Sequence, residues 1–266
     1  MSRAVFFDAD GTICDLKEGI PVSTRESLPV LRKNGHTAWL CTGRCRAMIP
    51  EELAAGFDGI VAACGTYLEY QGKRLFNHEL SCGEALRSVQ VLRKYGMIPV
   101  LEGAEAMYYD LDEYTTRIDS YCELITQQLG PKRKPIAGNE NRLRINKISA
   151  KRTESSDEEA ACRELSDLYD YIVHGEGMAR TTIEMVPKGY SKATGIAAVC
   201  RIFGIPWEDT VVFGDSNNDL SMFQYAAVKV AMGNATKELR ALADYVTDTM
   251  FEDGIQHGLK HLGLIE

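Results

Sequence analysis

At 266 residues, with 45% apolar and 26% charged side chains, the chain has material for one large domain or two modest ones. A formal net charge of −8 offers the phosphate backbone of a nucleic acid no basic surface, and no apolar run approaches the ~20 residues that span a bilayer. The N-terminal apolar run is too short for a secretory signal, and eight scattered cysteines without a CxxC pair read as reduced, small hydrophobic residues of a cytoplasmic protein.

The first third alternates strand and helix. "RAVFFD" is a β-rich run ending in acids. "STRESLPVLRKNG" reads as a helix with Ser23 as N-cap and Gly35 just past its end. "HTAWLCTG" and "FDGIVAACG" are further strands, and "TYLEYQ" and "KRLFNH", parted by Gly72, form a hairpin. This rhythm predicts a parallel sheet covered by helices.

From residue 82 the character changes. "CGEALRSVQVLRKYG" is an amphipathic helix, "MIPVLEG" and "EAMYYDL" are strands, and 112–129 reads as one long helix. The basic run "KRKP" at 132–135 reads as a solvated loop, "RLRINKISA" as a strand by its alternation, and "DEEAACRELSDLY" as a helix. "DYIVHG" and "ARTTIEMVP" are two more strands. Mixed hairpins and helices predict an α+β module, 82–186, inserted into a sheet domain formed by 1–81 and 187–266.

After Pro187 the first rhythm resumes. "SKATGIAAVCRIFGI" is a helix opened by Ser191, "DTVVFGD" a fully apolar strand ending in an acid, and "NNDLSMFQYA" a helix. "VKVAMG" is a strand, followed by the helices "TKELRALA" and "DGIQHGLKHLGLI".

In open α/β sheets ligands bind beyond the carboxyl ends of the strands. Three strands end there in Asp8-Ala9-Asp10, Thr42-Gly43-Arg44 and Gly214-Asp215. Carboxylates converging on one rim need a cation, and hard oxygen ligands suit Mg²⁺. The Thr42 hydroxyl, the N–H groups around Gly43 and a lysine suit an anion beside it. Cation plus anion cradle is what phosphoryl transfer requires. There is neither a GxxxxGK[ST] loop nor a GxGxxG after the first strand, so the nucleophile must be sought elsewhere, and a carboxylate forming an aspartyl-phosphate fits. One acid of the opening pair would attack phosphorus while the other handles protons.

"DADGT" at 8–12, "CTGR" at 41–44, "KGYSKATG" at 188–195 and "GDSNNDLSMF" at 214–223 resemble, in order, the four motifs of the haloacid dehalogenase superfamily. More narrowly the chain resembles the Cof-type (subclass IIB) phosphatases over nearly its whole length, including the ending "EDGIQHGLKHL". The resemblance implies an α/β, Rossmann-like core with an inserted C2-type α+β cap that selects substrate. It implies Asp8 as nucleophile and Mg²⁺ ligand. Asp10 would be the proton donor and acceptor, with its backbone carbonyl on the metal. Thr42 and Gly43 N–H would bind phosphate, Lys192 would neutralise its charge, and Asp215 would complete the metal ligands. Asn218 would hold phosphate or loop, with Asp219 acting from behind. The activity implied is Mg²⁺-dependent hydrolysis of small phosphate esters by a monomer or small homo-oligomer. A phosphomutase of the same superfamily and a non-catalytic phosphometabolite-binding protein are the alternatives.

Some positions depart from the family pattern or invite a second reading. Lys192 is followed by Ala193 where the family has glycine, and Lys188 competes for its role; the predicted helix start favours Lys192. Cys64-Gly65 replaces a common Asn-Gly after the third strand. Arg44 either starts a helix in solvent or reaches a substrate anion. His257 and His261 have metal-ligand spacing but no third ligand, so a packing or surface role is expected. Cys41 reads as strand packing, Cys45 as a helix residue, and Tyr108 and Tyr109 as sheet packing.

Overall fold

The computed structural model describes residues 2–15, 17–114, 120–173 and 182–266. They group into two compact units: 1–43, 50–76 and 190–266 form one, while 44–49 and 77–189 form the other.

The first unit carries the strands β1 (Ala4–Phe7), β2 (Thr37–Cys41), β3 (Gly59–Ala62), β4 (Tyr67–Tyr70) and β5 (Lys73–Asn77). The second contributes β6 (Ile98–Glu102), β7 (Met107–Tyr108), β8 (Arg133–Lys134), β9 (Lys147–Lys151), β10 (Tyr169–Val173) and β11 (Thr182–Pro187). The first unit then resumes with β12 (Thr210–Gly214), β13 (Val228–Ala231) and β14 (Tyr245–Val246). The helices are α1 (Val22–Lys33), α2 (Glu51–Ala54), α3 (Cys82–Lys94), α4 (Leu111–Tyr114), α5 (Ser120–Leu129) and α6 (Glu158–Glu164), then α7 (Lys192–Phe203), α8 (Leu220–Tyr225), α9 (Lys237–Leu242) and α10 (Gly254–His261).

The first unit is an eight-stranded sheet ordered β14-β13-β12-β1-β2-β3-β4-β5. The strands from β14 to β3 run parallel, and β4 turns back against β3. All four residues of β1 are buried, because a parallel strand covered on both faces must be apolar throughout. Phe6 stacks on Trp39 and belongs with Ile196, Val199, Met222 and Phe223, which come from α7 and α8. Phe7 stacks on Phe213 instead, on the face where Gly258 of α10 admits the Phe213 ring. Chain order steps out from β1 to β2 on one side and returns to β12 on the other, so the switch point of the sheet lies at β1. The β4–β5 hairpin closes through Gln71 and Gly72, both with positive φ, the arrangement that matches the twist of paired strands.

The second unit is a six-stranded sheet ordered β10-β11-β9-β6-β7-β8, antiparallel except where β8 runs parallel to β7. Alternation along β9 explains its two faces. Ile148 and Ala150 enter an apolar core with Leu101, Ile183, Met185 and the α3 residues Ala85, Val89 and Leu92. Lys147 on the other face is buried and donates to Glu102 (2.9 Å) and Glu184 (2.6 Å).

Several expectations need correction. Helix α1 starts at Val22, after Pro21, so Ser23 is not its N-cap; a proline fixed near φ −65° already sets the entry. "RLRINKISA" is a strand only from Lys147; Glu140–Arg142 is a 3₁₀ turn. Leu143 and Ile145 are buried and Arg144 exposed, so burial alternates there without a ladder, Ile145 O accepting instead from Leu80 N. Within "KRKP", Arg133 and Lys134 form β8 and lie over the rings of Tyr109 and Tyr108, so this run is not a solvated loop. The helix expected over 112–129 shows as α4 and α5, with 115–119 outside the described residues. Cys45 has extended backbone and precedes a 3₁₀ turn, so it is no helix residue. The short elements α2 and β14 were not expected. Among the described residues no helix is long and apolar enough to cross a membrane, and every cysteine is free.

Candidate active site

The turn after β1 is wound around one carbonyl. Ala9 O accepts from the N–H groups of Thr12, Ile13 and Cys14, so a small buried residue sits between the two acids. Asp8 N continues the ladder to Phe213 O, and Asp8 is buried. Asp10 is exposed. Gly11 has φ +82°, and a Cβ there would meet Asp215 Cγ at 2.8 Å, so the acid at the end of β12 comes against this turn only because position 11 is glycine.

Asp215 is held from both sides. Thr12 Oγ1 donates to Oδ1 (3.1 Å), and Asn234 Nδ2 donates to Oδ2 (3.3 Å) and to Gly11 O (3.0 Å). Asp219 folds back under the same loop: Oδ2 accepts from Asp215 N (2.9 Å) and Ser216 N (3.1 Å). Gly214 makes this fold-back feasible, since a Cβ there would lie 2.7 Å from Asp219 Cγ.

Lys192 is the first residue of α7, whose N-terminus is fixed by a reciprocal box between Ser191 and Thr194. Close approach of α7 to the loop after β3 places it: a Cβ on Gly65 would lie 3.1 Å from Gly195 N and 3.2 Å from Ser191 C. In that loop Ala63, Cys64 and Gly65 all have positive φ. Lys192 Nζ, almost fully buried, donates to Asp8 Oδ1 (2.5 Å), Asp219 Oδ1 (2.6 Å) and Asn218 Oδ1 (3.2 Å). Lys188 is exposed and belongs to the other unit, so of the two competing lysines it is Lys192 that meets Asp8. Thr42, at the end of β2, is 1% exposed, with its N–H on Val61 O and its carbonyl accepting from Cys64 N. Gly43 closes this stretch of the first unit, whereas Arg44 is buried and groups with the second.

Carboxylate oxygens of Asp8, Asp215 and Asp219 lie within 4.8 Å of one another. Sequence reasoning placed Asp219 behind the metal ligands, and both its oxygens are engaged by Lys192 and backbone amides. Burial, with the charge of Asp219 adding to it, pushes the Asp8 carboxyl well above the usual carboxylate range against the opposing pull of Lys192. Burial and Asp219 likewise raise Asp215 to about 7. Burial opposes the Lys192 ammonium, but Asp219 and Asp8 outweigh it and hold its pKa well above the ordinary lysine value. Three carboxylates against one ammonium leave an excess of negative charge among hard oxygen donors, which fits a hard divalent cation.

Other candidates separate from this set. Burial pushes the Cys41 thiol far up and that of Cys45 to about 12, the opposite of an activated nucleophile. His257 pairs with Asp248 (2.7 Å) and His261 stacks on Tyr245, so each ring has a partner of its own. Tyr108 lies in the apolar core of the second unit, and Tyr109 is buried with its hydroxyl on Thr126. Thr12 and Asn234 were not singled out from sequence. For Asn234 a signal existed: it follows the end of β13, on the rim where the other polar residues stand.

A doubly wound sheet whose switch point holds a buried aspartate–lysine set is the frame of a hydrolase that works on anionic substrates. The chain belongs to the haloacid dehalogenase-like hydrolase family, whose model matches residues 5–259. It is similar to YkrA of Bacillus subtilis (strain 168), which carries a provisional phosphatase name, at 30% identity over 100% of this chain and 99% of that one. It is 27% identical to the phosphoglycolate phosphatase of Methanothermobacter thermautotrophicus, over 97% of each. Among solved structures it resembles BT4131, described as a subclass IIB sugar phosphatase. The TM-score is 0.79 at 26% identity, over 99% of this chain and 100% of that one.

Proposed function

We propose that the protein hydrolyses small phosphorylated metabolites, sugar phosphates or phosphorylated cofactors, through an aspartyl-phosphate on Asp8 with the help of Mg²⁺. It is a phosphoric monoester hydrolase of the haloacid dehalogenase family. The observation that carries the finer reading is the buried contact of Lys192 with Asp8, inside a set of carboxylates at the switch point of the sheet.

Asp8 would attack phosphorus with one carboxylate oxygen while the bond from phosphorus to the leaving oxygen breaks. Asp10, exposed beside it, would give its proton to the departing alkoxide. The same residue would then take a proton from water as that water attacks phosphorus, releasing phosphate and restoring Asp8. Thr42 and the Gly43 N–H would hold the phosphate oxygens, Asn218 would help hold the phosphate or its loop, and Lys192 would neutralise charge developing between phosphate and nucleophile. Asp8, Asp215 and the Asp10 carbonyl would hold the cation, which supplies further neutralisation of phosphate charge. Arg44 would act from the neighbouring shell. The inserted residues would choose among leaving groups.

The test is phosphate release from a panel of phosphorylated metabolites with and without Mg²⁺, beside Asp8→Asn. Turnover that needs Mg²⁺ and vanishes in the variant is expected; wild-type turnover by Asp8→Asn would refute the mechanism. Activity on a hexose 1-phosphate that requires a bisphosphate activator and releases little free phosphate would favour a mutase instead.

A further inference from the structure

Asn234 lies outside all four motifs, yet its side chain is built into the site. Its amide nitrogen reaches Gly11 O at 3.0 Å and Asp215 Oδ2 at 3.3 Å, tying the turn after β1 to the acid after β12. The turn that carries it is itself anchored to that acid's loop. Met232 N donates to Gly214 O, Thr236 N to Asp215 O, and Thr236 Oγ1 to Asn217 Oδ1 (3.1 Å). Gly233 packs where a Cβ would lie 2.6 Å from Thr249 N, and Arg240 donates to the carbonyls of Gly233 and Ala235. An exposed asparagine in an otherwise free loop would not need five such hydrogen bonds and the close packing of Gly233.

We propose that Asn234 is a positioning residue for the metal ligand Asp215. Thr12 fixes one carboxylate oxygen and Asn234 the other, so the plane of the carboxylate is set before a cation arrives. Outer partners of this kind orient ligands, and their loss costs about 10–100-fold in metal affinity or activity. The proposal rests on the reading of Asp215 as a metal ligand given above.

The experiment compares wild type, Asn234→Ala and Asp215→Asn. Mn²⁺ binding is followed by electron paramagnetic resonance without substrate, Mg²⁺ activation by phosphate release, and thermal unfolding in EDTA. For Asn234→Ala, Mn²⁺ affinity should weaken about 10-fold, in the range typical of outer-ligand partners. The half-activating Mg²⁺ concentration should rise by a similar factor, kcat at saturating Mg²⁺ should fall less, and the unfolding temperature in EDTA should stay put. Wild-type Mn²⁺ affinity in Asn234→Ala beside lost binding in Asp215→Asn overturns the proposal and leaves the function standing. So does weaker binding accompanied by an equal loss of metal-free stability. Wild-type binding by Asp215→Asn instead removes the metal assignment, and this proposal with it.

Discussion

Adding one methyl group at the end of β12 should disable the site without replacing any titratable residue. In Gly214→Ala the new Cβ would lie 2.7 Å from both Cγ and Oδ2 of Asp219. Ordinary contact begins at 3.4 Å, so the carboxylate must give way by about 0.7 Å. The retreat lengthens the bonds that Asp219 accepts from Asp215 N (2.9 Å), Ser216 N (3.1 Å) and Lys192 Nζ (2.6 Å) together. Overpacking of this size costs about 1–3 kcal/mol of stability. Displacing Lys192 from Asp8 in consequence should lower kcat/KM by up to about 10²-fold, the loss typical of a misplacement of about 1 Å. The assay is phosphate release at a temperature where unfolding curves show the variant still folded. In an Asp219→Gly background the carboxylate and the Cβ that lies 2.9 Å away are both gone, so Gly214→Ala should then change little. Equal losses in both backgrounds would refute the steric account.

Three further outcomes are expected. Ser191→Ala removes the hydroxyl that accepts from Thr194 N and should cost about 1 kcal/mol in urea unfolding; because α7 begins at Lys192, turnover should fall as well. Lys147→Leu takes away the ammonium shared by the buried Glu102 and Glu184 carboxylates and should destabilise by about 3–5 kcal/mol in the same assay. His36 accepts from Arg3 N at Nδ1 (3.0 Å), and burial, with nearby positive charge, lowers its pKa from the ordinary 6.5. The unfolded chain therefore binds the proton first. Stability should be full above pH 6.5 and decline as pH falls toward the lowered value, and His36→Gln should flatten that slope in urea midpoints taken from pH 8 to 5.

Much of this was legible from residues alone. The parallel strands announced themselves because burial on both faces leaves only apolar side chains between turn residues, as in β1 and β12. Ser191 was legible as a cap because the box with Thr194 is local, and the start of α7 then singled out Lys192. Ser23 misled because a neighbouring proline sets the same entry by fixing a dihedral rather than by a hydrogen bond. "RLRIN" misled because alternating burial follows from any extended segment over a core, whereas a strand also needs a partner ladder. The contacts of Gly214 and Asn234 were hidden for a different reason, although the place of Asn234 on the rim was visible. Their meaning lies in what the chain brings against them, Asp219 in one case and Asp215 with Gly11 in the other, and neither contact has a periodicity.

Arg44–Ile49 groups with the inserted residues rather than with the chain on either side of it. Cys45 is fully buried and feels the charges of Glu102 and Lys147, Ala47 O accepts from Lys132 Nζ, and α5 packs on the Arg46–Met48 turn. The insertion is therefore not a cassette. A graft or deletion cut at its two sequence junctions would leave six of its residues behind. Exchange of this module between relatives succeeds only if 44–49 travels with 77–189. Sequence change in the module is bound, through those six positions, to the stretch immediately after Thr42-Gly43.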